Sequence, residues 1–287
     1  MERIIEEDIV IVGAGIAGLT TSLGLHRLGF GSLVLESCDS LRVSGFALTL
    51  WENAWKALDV VGVGDILRHQ HLQLHGIVTT SLITGQQTST ISFKDNKRNY
   101  EVRCVRRQLL LEALANELPS GTIRYSSKVV AIEESGFFKM LHLFDGTTIK
   151  TKALKTKEAS YTGRHATRGY VEMKNPHQIE PIFMQYFGKG FRAGAIPCDE
   201  KIVYWFFTWS PISQDKELAQ DPAKLKEYVL SNLEKMPSDV RSFIEKTDSD
   251  AFQSTPLRYR HPWELIMGNI SKDNVCVAGD ALHPYDT

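Results

Sequence analysis

Apolar residues follow two rhythms along this chain. Four consecutive β-branched residues, Ile9, Val10, Ile11 and Val12, stop at Gly13, and an Ala- and Leu-rich stretch with helical spacing follows over residues 16–28. A second short apolar run, 32–35, ends at Glu36. The pattern predicts strand, tight turn, helix and strand, the first βαβ unit of a doubly wound α/β domain. Residues 37–50 read as a loop centred on Gly45, and 52–61 as an amphipathic helix with Trp51, Trp55, Leu58 and Val61 on one face. Alternation over 74–93, broken at Thr84-Gly85, predicts a hairpin of a second sheet. The segment 102–118 opens on Arg103, Arg106 and Arg107 and turns helical, with Leu110, Leu111, Leu114 and Leu118 as its stripe. Residues 123–132 predict a strand rejoining the first sheet, and 139–152 a hairpin turning at Asp145-Gly146.

The second half reads as a mixed sheet with helices. Strands are predicted over 182–187, 192–197 and 202–209, the last carrying Tyr204, Trp205, Phe206, Phe207 and Trp209. Asp221 and Pro222 supply the N-cap and first-turn proline of a helix to about residue 235, and a second helix starts at Ser238. Residues 257–262 lead back to the first domain, where 274–278 form a short strand ending at Gly279-Asp280.

Candidate chemistry concentrates at the first turn. Gly13, Gly15 and Gly18 have GxGxxG spacing between a predicted strand and helix. The first glycine permits the sharp turn, the second lets a pyrophosphate approach the backbone, and the third lets the helix pack on the sheet. Exposed N–H groups at the helix start attract the anion. Glu36, at the end of the second strand, can accept hydrogen bonds from ribose hydroxyls, which favours FAD or NAD over a 2′-phosphorylated nucleotide. Arg107, at the predicted start of its helix, can reach a pyrophosphate on that turn.

Composition narrows the class. The 287 residues are 43% hydrophobic, enough for a sizeable core, and 33 Lys and Arg balance 34 Asp and Glu, so no basic footprint for nucleic acid appears. Cys38, Cys104, Cys198 and Cys276 lack the CxxC spacing of zinc or redox sites and read as reduced thiols. His69, His71 and His75 have no Cys or carboxylate at ligand spacing, so no metal is expected. No apolar run is long enough to span a bilayer. The acidic amino terminus fits neither a secretory signal nor a transit peptide, and the expected location is cytoplasmic, or plastid where a transit peptide is missing from this form.

Three separated segments carry a resemblance. The GxGxxG turn with Glu36, the run Cys104-Val105-Arg106-Arg107-Gln108-Leu109-Leu110, and the late run Val277-Ala278-Gly279-Asp280-Ala281-Leu282-His283-Pro284 are together similar to the single-component FAD-dependent aromatic hydroxylases. The plant monooxygenases similar to zeaxanthin epoxidase and salicylate hydroxylase are the nearest in character. The resemblance implies a Rossmann-like, p-hydroxybenzoate hydroxylase-like FAD-binding domain, residues 1–75 with 101–158 and 270–287. This is interleaved with a mixed-sheet substrate domain, residues 76–100 with 159–269. It further implies that Gly13, Gly15, Gly18 and Glu36 hold the ADP half of FAD. In the same way it implies that Arg107, ahead of Leu110, contacts the cofactor, that Gly279 and Asp280 meet the ribityl chain, and that Pro284 lies near the flavin ring. NAD(P)H would be co-substrate, with O2 and a small aromatic or isoprenoid-like substrate hydroxylated or epoxidised; no catalytic acid or base is identified.

The resemblance also sets two departures. The family has a strand ending in Asp-Gly, then Ser and Arg, before the segment 163–169; here residues 152–158 run almost directly into it, which implies an internal deletion. The family continues past the late motif with a Gly-rich turn and helix, whereas this sequence stops at Thr287, which implies a C-terminal truncation. Two other readings therefore stay open: a catalytically inactive truncated or splice variant acting as a binding protein, and a nicotinamide-dependent dehydrogenase. Loss of a central strand predicts reduced stability. Oligomeric state is left open.

Overall fold

The structure is a computed structural model that describes residues 4–42, 46–94, 100–135, 138–151, 160–211, 218, 221–259, 271–272, 275–276 and 278–281. In chain order the first part contains β1 (Ile4–Glu6), β2 (Val10–Val12), α1 (Ile16–Arg27), β3 (Leu33–Leu35), β4 (Ala47–Leu50), α2 (Glu52–Val61) and α3 (Gly64–Gln70). It continues through β5 (Gly76–Ser81), β6 (Gln87–Ser92), β7 (Arg103–Arg106), α4 (Arg107–Asn116), β8 (Ile123–Arg124), β9 (Val129–Ser135), β10 (Phe138–Leu143) and β11 (Thr148–Thr151). The second part contains β12 (Ser160–Glu172), β13 (Ile182–Phe187), β14 (Phe191–Pro197), β15 (Ile202–Trp209), α5 (Pro222–Asn232), α6 (Ser238–Lys246), β16 (Gln253–Tyr259), β17 (Ser271–Lys272) and β18 (Val275–Cys276). A short 3-10 turn, Gly279–Ala281, follows.

The βαβ reading holds. β2, β3 and β8 form a parallel sheet in that order, Val10 opposite Leu33 and Val34 opposite Ile123. Alternation splits its side chains between two layers. Ile11 and Val34 face the helical layer, where Leu19 and Leu23 of α1 meet Trp55, Leu58 and Val61 of α2 and Leu110, Leu111 and Leu114 of α4. Val10 and Leu35 face Leu141, Leu143 and Ile149 of the antiparallel β9-β10-β11 meander.

The second sheet has seven strands in the order β16-β12-β15-β14-β13-β5-β6, antiparallel except where β13 runs parallel to β5. Along β15, Trp205, Phe207 and Trp209 point under α5 and α6, while Tyr204 and Phe206 face Val102 and Cys104 on the side of β7. Each large side chain buried under the helices contributes about 1.5–3 kcal/mol. The indole N–H groups are satisfied, Trp205 Nε1 donating to Thr247 Oγ1 at 2.8 Å and Trp209 Nε1 to Thr167 Oγ1 at 3.2 Å. Asp221 caps α5 as expected, its Oδ1 accepting from the N–H groups of Ala223 and Lys224.

Several expectations are corrected. The loop read over 37–50 contains β4, which pairs with β7 (Leu48 opposite Val105), a long-range partnership with no local signature. Residues 123–132 are two strands: β8 joins the parallel sheet and β9 the meander, with Ser126 at φ 51 between them. Trp51 precedes α2 with extended backbone and is 46% exposed, so it leaves the face that Trp55, Leu58 and Val61 bury. The thirteen-residue β12 was not read as a strand; its polar residues Arg164, His165, Thr167 and Arg168 mask the alternation. Among the described residues β18 pairs with β17 and not with the parallel sheet. Among the described residues β2 is an edge strand, and Val12 on it is 61% exposed. Gly45, the segment 152–158, His283 and Pro284 lie outside the described residues.

Candidate functional site

The turn after β2 is built as its three glycines require. Gly13 has φ 105, a left-handed conformation that a side chain would strain, and its N–H donates to Leu35 O at 2.8 Å. Gly15 is the residue before α1, and a Cβ there would meet nothing within 4 Å, so the space above it is open. A Cβ on Gly18 would collide with the Gly13 carbonyl, which fixes the close approach of α1 to β2. No side chain caps α1 and no acid occupies its first turn, so its amino-terminal N–H groups and dipole are available to an anion.

Glu36 closes the floor of the turn. The residue is 4% exposed. Its Oε2 accepts from the Ala14 N–H at 3.0 Å, and its Oε1 from the Cys38 N–H at 2.9 Å and the Ser37 hydroxyl at 3.1 Å. The Arg42 guanidinium stands 3.7 Å away. Burial pushes the carboxyl pKa up, but the Cys38 and Ala14 N–H groups, Ser37 and Arg42 together outweigh it and hold the group below the ordinary glutamate range. Glu36 is thus an ionised carboxylate that ties the end of β2 to the end of β3.

Arg107 comes to the same place from β7. Its N–H donates to Phe46 O at 3.0 Å, and the residue begins α4. Among the described residues its Nε is buried without a hydrogen-bond partner. Burial lowers its pKa, the Asp280 charge opposes this, and the charges of Arg42 and Arg168 reinforce it. A half-buried guanidinium among other guanidiniums, with an unused donor, is the electrostatic signature of an anion site. Arg106 has, among the described residues, an equally unpartnered buried Nε but a different charge partner: its N–H donates to His71 Nε2 at 3.1 Å and its guanidinium lies 3.8 Å from Asp199. His71 Nδ1 bonds Leu67 O at 2.8 Å, so both its ring nitrogens bind backbone, and burial lowers its pKa.

The late motif meets the first. Gly279 has φ 62, and a Cβ on it would lie 2.7 Å from the Cβ of Ala17 in the first turn of α1. Glycine is required there on both grounds. The turn brings Asp280 within electrostatic reach of Arg107 across 173 positions of sequence, the difference between the two residue numbers. Gly13, Gly15, Gly18, Glu36, Arg107, Gly279 and Asp280 therefore converge around one helix terminus. Arg42, Arg168 and the Ala14 N–H were not picked out in the sequence; Arg42 had a signal in following Glu36 by six residues, whereas Arg168 had none.

A parallel βαβ turn with an uncapped helix terminus, a ribose-competent carboxylate and a buried arginine defines a dinucleotide-binding protein. The family model described as FAD binding domain matches residues 6–137. Monooxygenase 2 of Arabidopsis thaliana is 47% identical, over 99% of this chain and 72% of that protein. Monooxygenase 1 of the same plant is 31% identical, over 97% of this chain and 72% of that protein. The crystal structure of Klebsiella pneumoniae HpxO complexed with FAD and uric acid superposes with a TM-score of 0.81 at 19% identity, over 96% of this chain and 73% of that one, a likeness of fold. The chain belongs to the FAD-dependent monooxygenase family. The residues present fit FAD: the open space over Gly15, the free amino terminus of α1 and the unpartnered Nε of Arg107 suit a pyrophosphate. The alignment with Monooxygenase 2 spans 298 positions against a chain of 287 residues, so the relative has residues without counterparts here.

Proposed function

We propose that this chain uses NAD(P)H and O2 to hydroxylate or epoxidise a small aromatic or isoprenoid-like substrate at FAD held on the Gly13–Gly18 turn. The observation that carries the reading is the convergence of the half-buried Arg107, whose Nε has no hydrogen-bond partner among the described residues, with Asp280 and the uncapped start of α1. The chemistry that FAD supplies when bound is hydride acceptance from NAD(P)H and activation of O2. Per turnover one oxygen atom enters the substrate, the other leaves as water, and the nicotinamide provides two electrons. The N–H groups of the first turn of α1 and the Arg107 guanidinium would hold the pyrophosphate, Glu36 would accept from the adenosine ribose, and Asp280 would accept from the ribityl hydroxyls.

The substrate side is the sheet face of Tyr204 and Phe206, where Phe46 and Tyr170 lie with ring centroids 5.1 Å apart. That aromatic wall suits a flat, electron-rich molecule, and the uric acid in the HpxO structure is one of that kind. No residue is assigned to proton transfer.

A second reading, a catalytically inactive truncated or splice variant acting as a binding protein, is supported by β2, an edge strand among the described residues, where Val12 is 61% exposed in a sheet of the kind usually covered on both sides. The test is the visible absorption spectrum of the purified chain, with released cofactor identified by chromatography, followed by NAD(P)H-dependent oxygen uptake. Stoichiometric FAD with substrate-stimulated uptake supports the first reading. FAD without uptake under a panel of aromatic and isoprenoid substrates, or a chain that stays colourless with added FAD, refutes the first reading and supports the second.

A further inference from the structure

Two cysteines far apart in sequence meet where the β7 strand joins the seven-stranded sheet. Cys104 Sγ and Cys198 Sγ are 3.5 Å apart, both residues are fully buried, and neither is in a disulfide. The backbone on either side is already fastened. Leu72 N–H donates to Cys198 O and Leu74 N–H to Val102 O, each at 2.8 Å, and Gln73 bridges Arg103. Arg106, two residues past Cys104, lies 3.8 Å from Asp199, the residue after Cys198. The sulfurs need to approach by only about 1.5 Å to reach the disulfide bond length.

The geometry points to Cys104 and Cys198 as a redox-switchable pair, whose disulfide locks the strand leading into Arg107 to the seven-stranded sheet. The oxidant class is a hydroperoxide. One thiolate attacks its outer oxygen, the O–O bond breaks with release of water or an alcohol, and a sulfenic acid forms. The second thiol displaces that oxygen as water and forms the S–S bond. Two thiols thereby lose two electrons and two protons, and one hydroperoxide is reduced.

Burial gates the reaction. It pushes the Cys104 thiol well above its usual range, with Cys198 beside it acting in the same direction, so Cys104 stays protonated while the seam is closed. Cys38 is partly exposed and Cys276 exposed, so each reacts without any opening. The buried pair reacts at the rate at which the seam opens. The closed loop is long, 94 residues in separation, so the cross-link restricts the unfolded chain strongly.

The test uses the full chain carrying Cys38→Ser and Cys276→Ser, treated with hydrogen peroxide in buffer and in urea just below the unfolding transition. The expected product is an intramolecular disulfide. It shows as a loss of about 2 Da and a Cys104–Cys198 linked peptide, both reversed by dithiothreitol. The thermal midpoint of the oxidised chain should rise by about 5–10 °C. Adding Cys104→Ala should abolish both the linked peptide and the shift. Oxygen addition without a linked peptide, intermolecular dimers as the only disulfides, or two free thiols after treatment in urea would each overturn the proposal.

Discussion

Removing the Glu36 carboxylate tests how the cofactor turn is held together. In Glu36→Ala two backbone donors, the buried Ala14 N–H and the half-buried Cys38 N–H, lose their acceptor together. Each orphaned buried donor costs about 1–3 kcal/mol, so the pair costs roughly 2–5 kcal/mol against a total of roughly 5–15 for a domain. Glu36→Gln keeps one acceptor oxygen but turns an NH2 group toward one of the two donors, so its cost is about half. Acid should erase the difference between Glu36→Gln and the parent. The folded pKa of Glu36 is lowered, so its ionised form adds stability that is complete above the unfolded value of about 4.3 and is lost as pH falls through the folded pKa. Urea unfolding of the parent, Glu36→Gln and Glu36→Ala at pH 7 and at descending pH measures this. The penalty of Glu36→Gln should be largest at neutral pH and shrink below about pH 4. Equal midpoints for Glu36→Ala and the parent at pH 7, or a Glu36→Gln penalty that grows with acid, would refute the reasoning.

Four further substitutions separate folding from cofactor binding. Gly15→Ala should leave the apo thermal midpoint unchanged, because the added methyl meets open space, while weakening FAD at least tenfold by titration; Gly18→Ala should cost about 1–3 kcal/mol in urea unfolding, because its methyl strikes the Gly13 carbonyl. Arg107→Ala should raise the FAD Kd by about 10- to 100-fold, the loss of one charged hydrogen-bonding partner, yet leave the apo chain no less stable, since it also removes repulsion with Arg42 and Arg168. Gly279→Ala should destabilise by about 1–3 kcal/mol, through the positive φ and the approach to Ala17, read as a lowered midpoint in thermal unfolding.

Local patterns in the sequence were enough for the elements whose partners are near. The β2-α1-β3 unit, the β10-β11 hairpin and the capped α5 each carry their signal within a dozen or so residues, as a change of hydrophobic period or a turn residue. The glycine spacing and Glu36 announced the chemistry because nucleotide binding needs a fixed backbone shape, and that shape needs glycine. β4 and β12 went unread for the opposite reason. Their pairing partners β7, β15 and β16 are remote, and β12 mixes polar and apolar residues on both faces.

By itself the sequence determined the identity of the nucleotide turn, the helix that opens on it and the acid that floors it, because backbone conformation and hydrophobic period are local properties. The sequence already pointed to Arg107, ahead of Leu110; the tertiary structure added that Arg106 lies against Asp199 with its N–H donated to His71, and that Asp280 stands within electrostatic reach of Arg107. Only tertiary packing brought Gly279 against Ala17 and set Cys104 beside Cys198. Each of these joins residues separated by long stretches of chain, and no local propensity encodes which distant surface a side chain will meet.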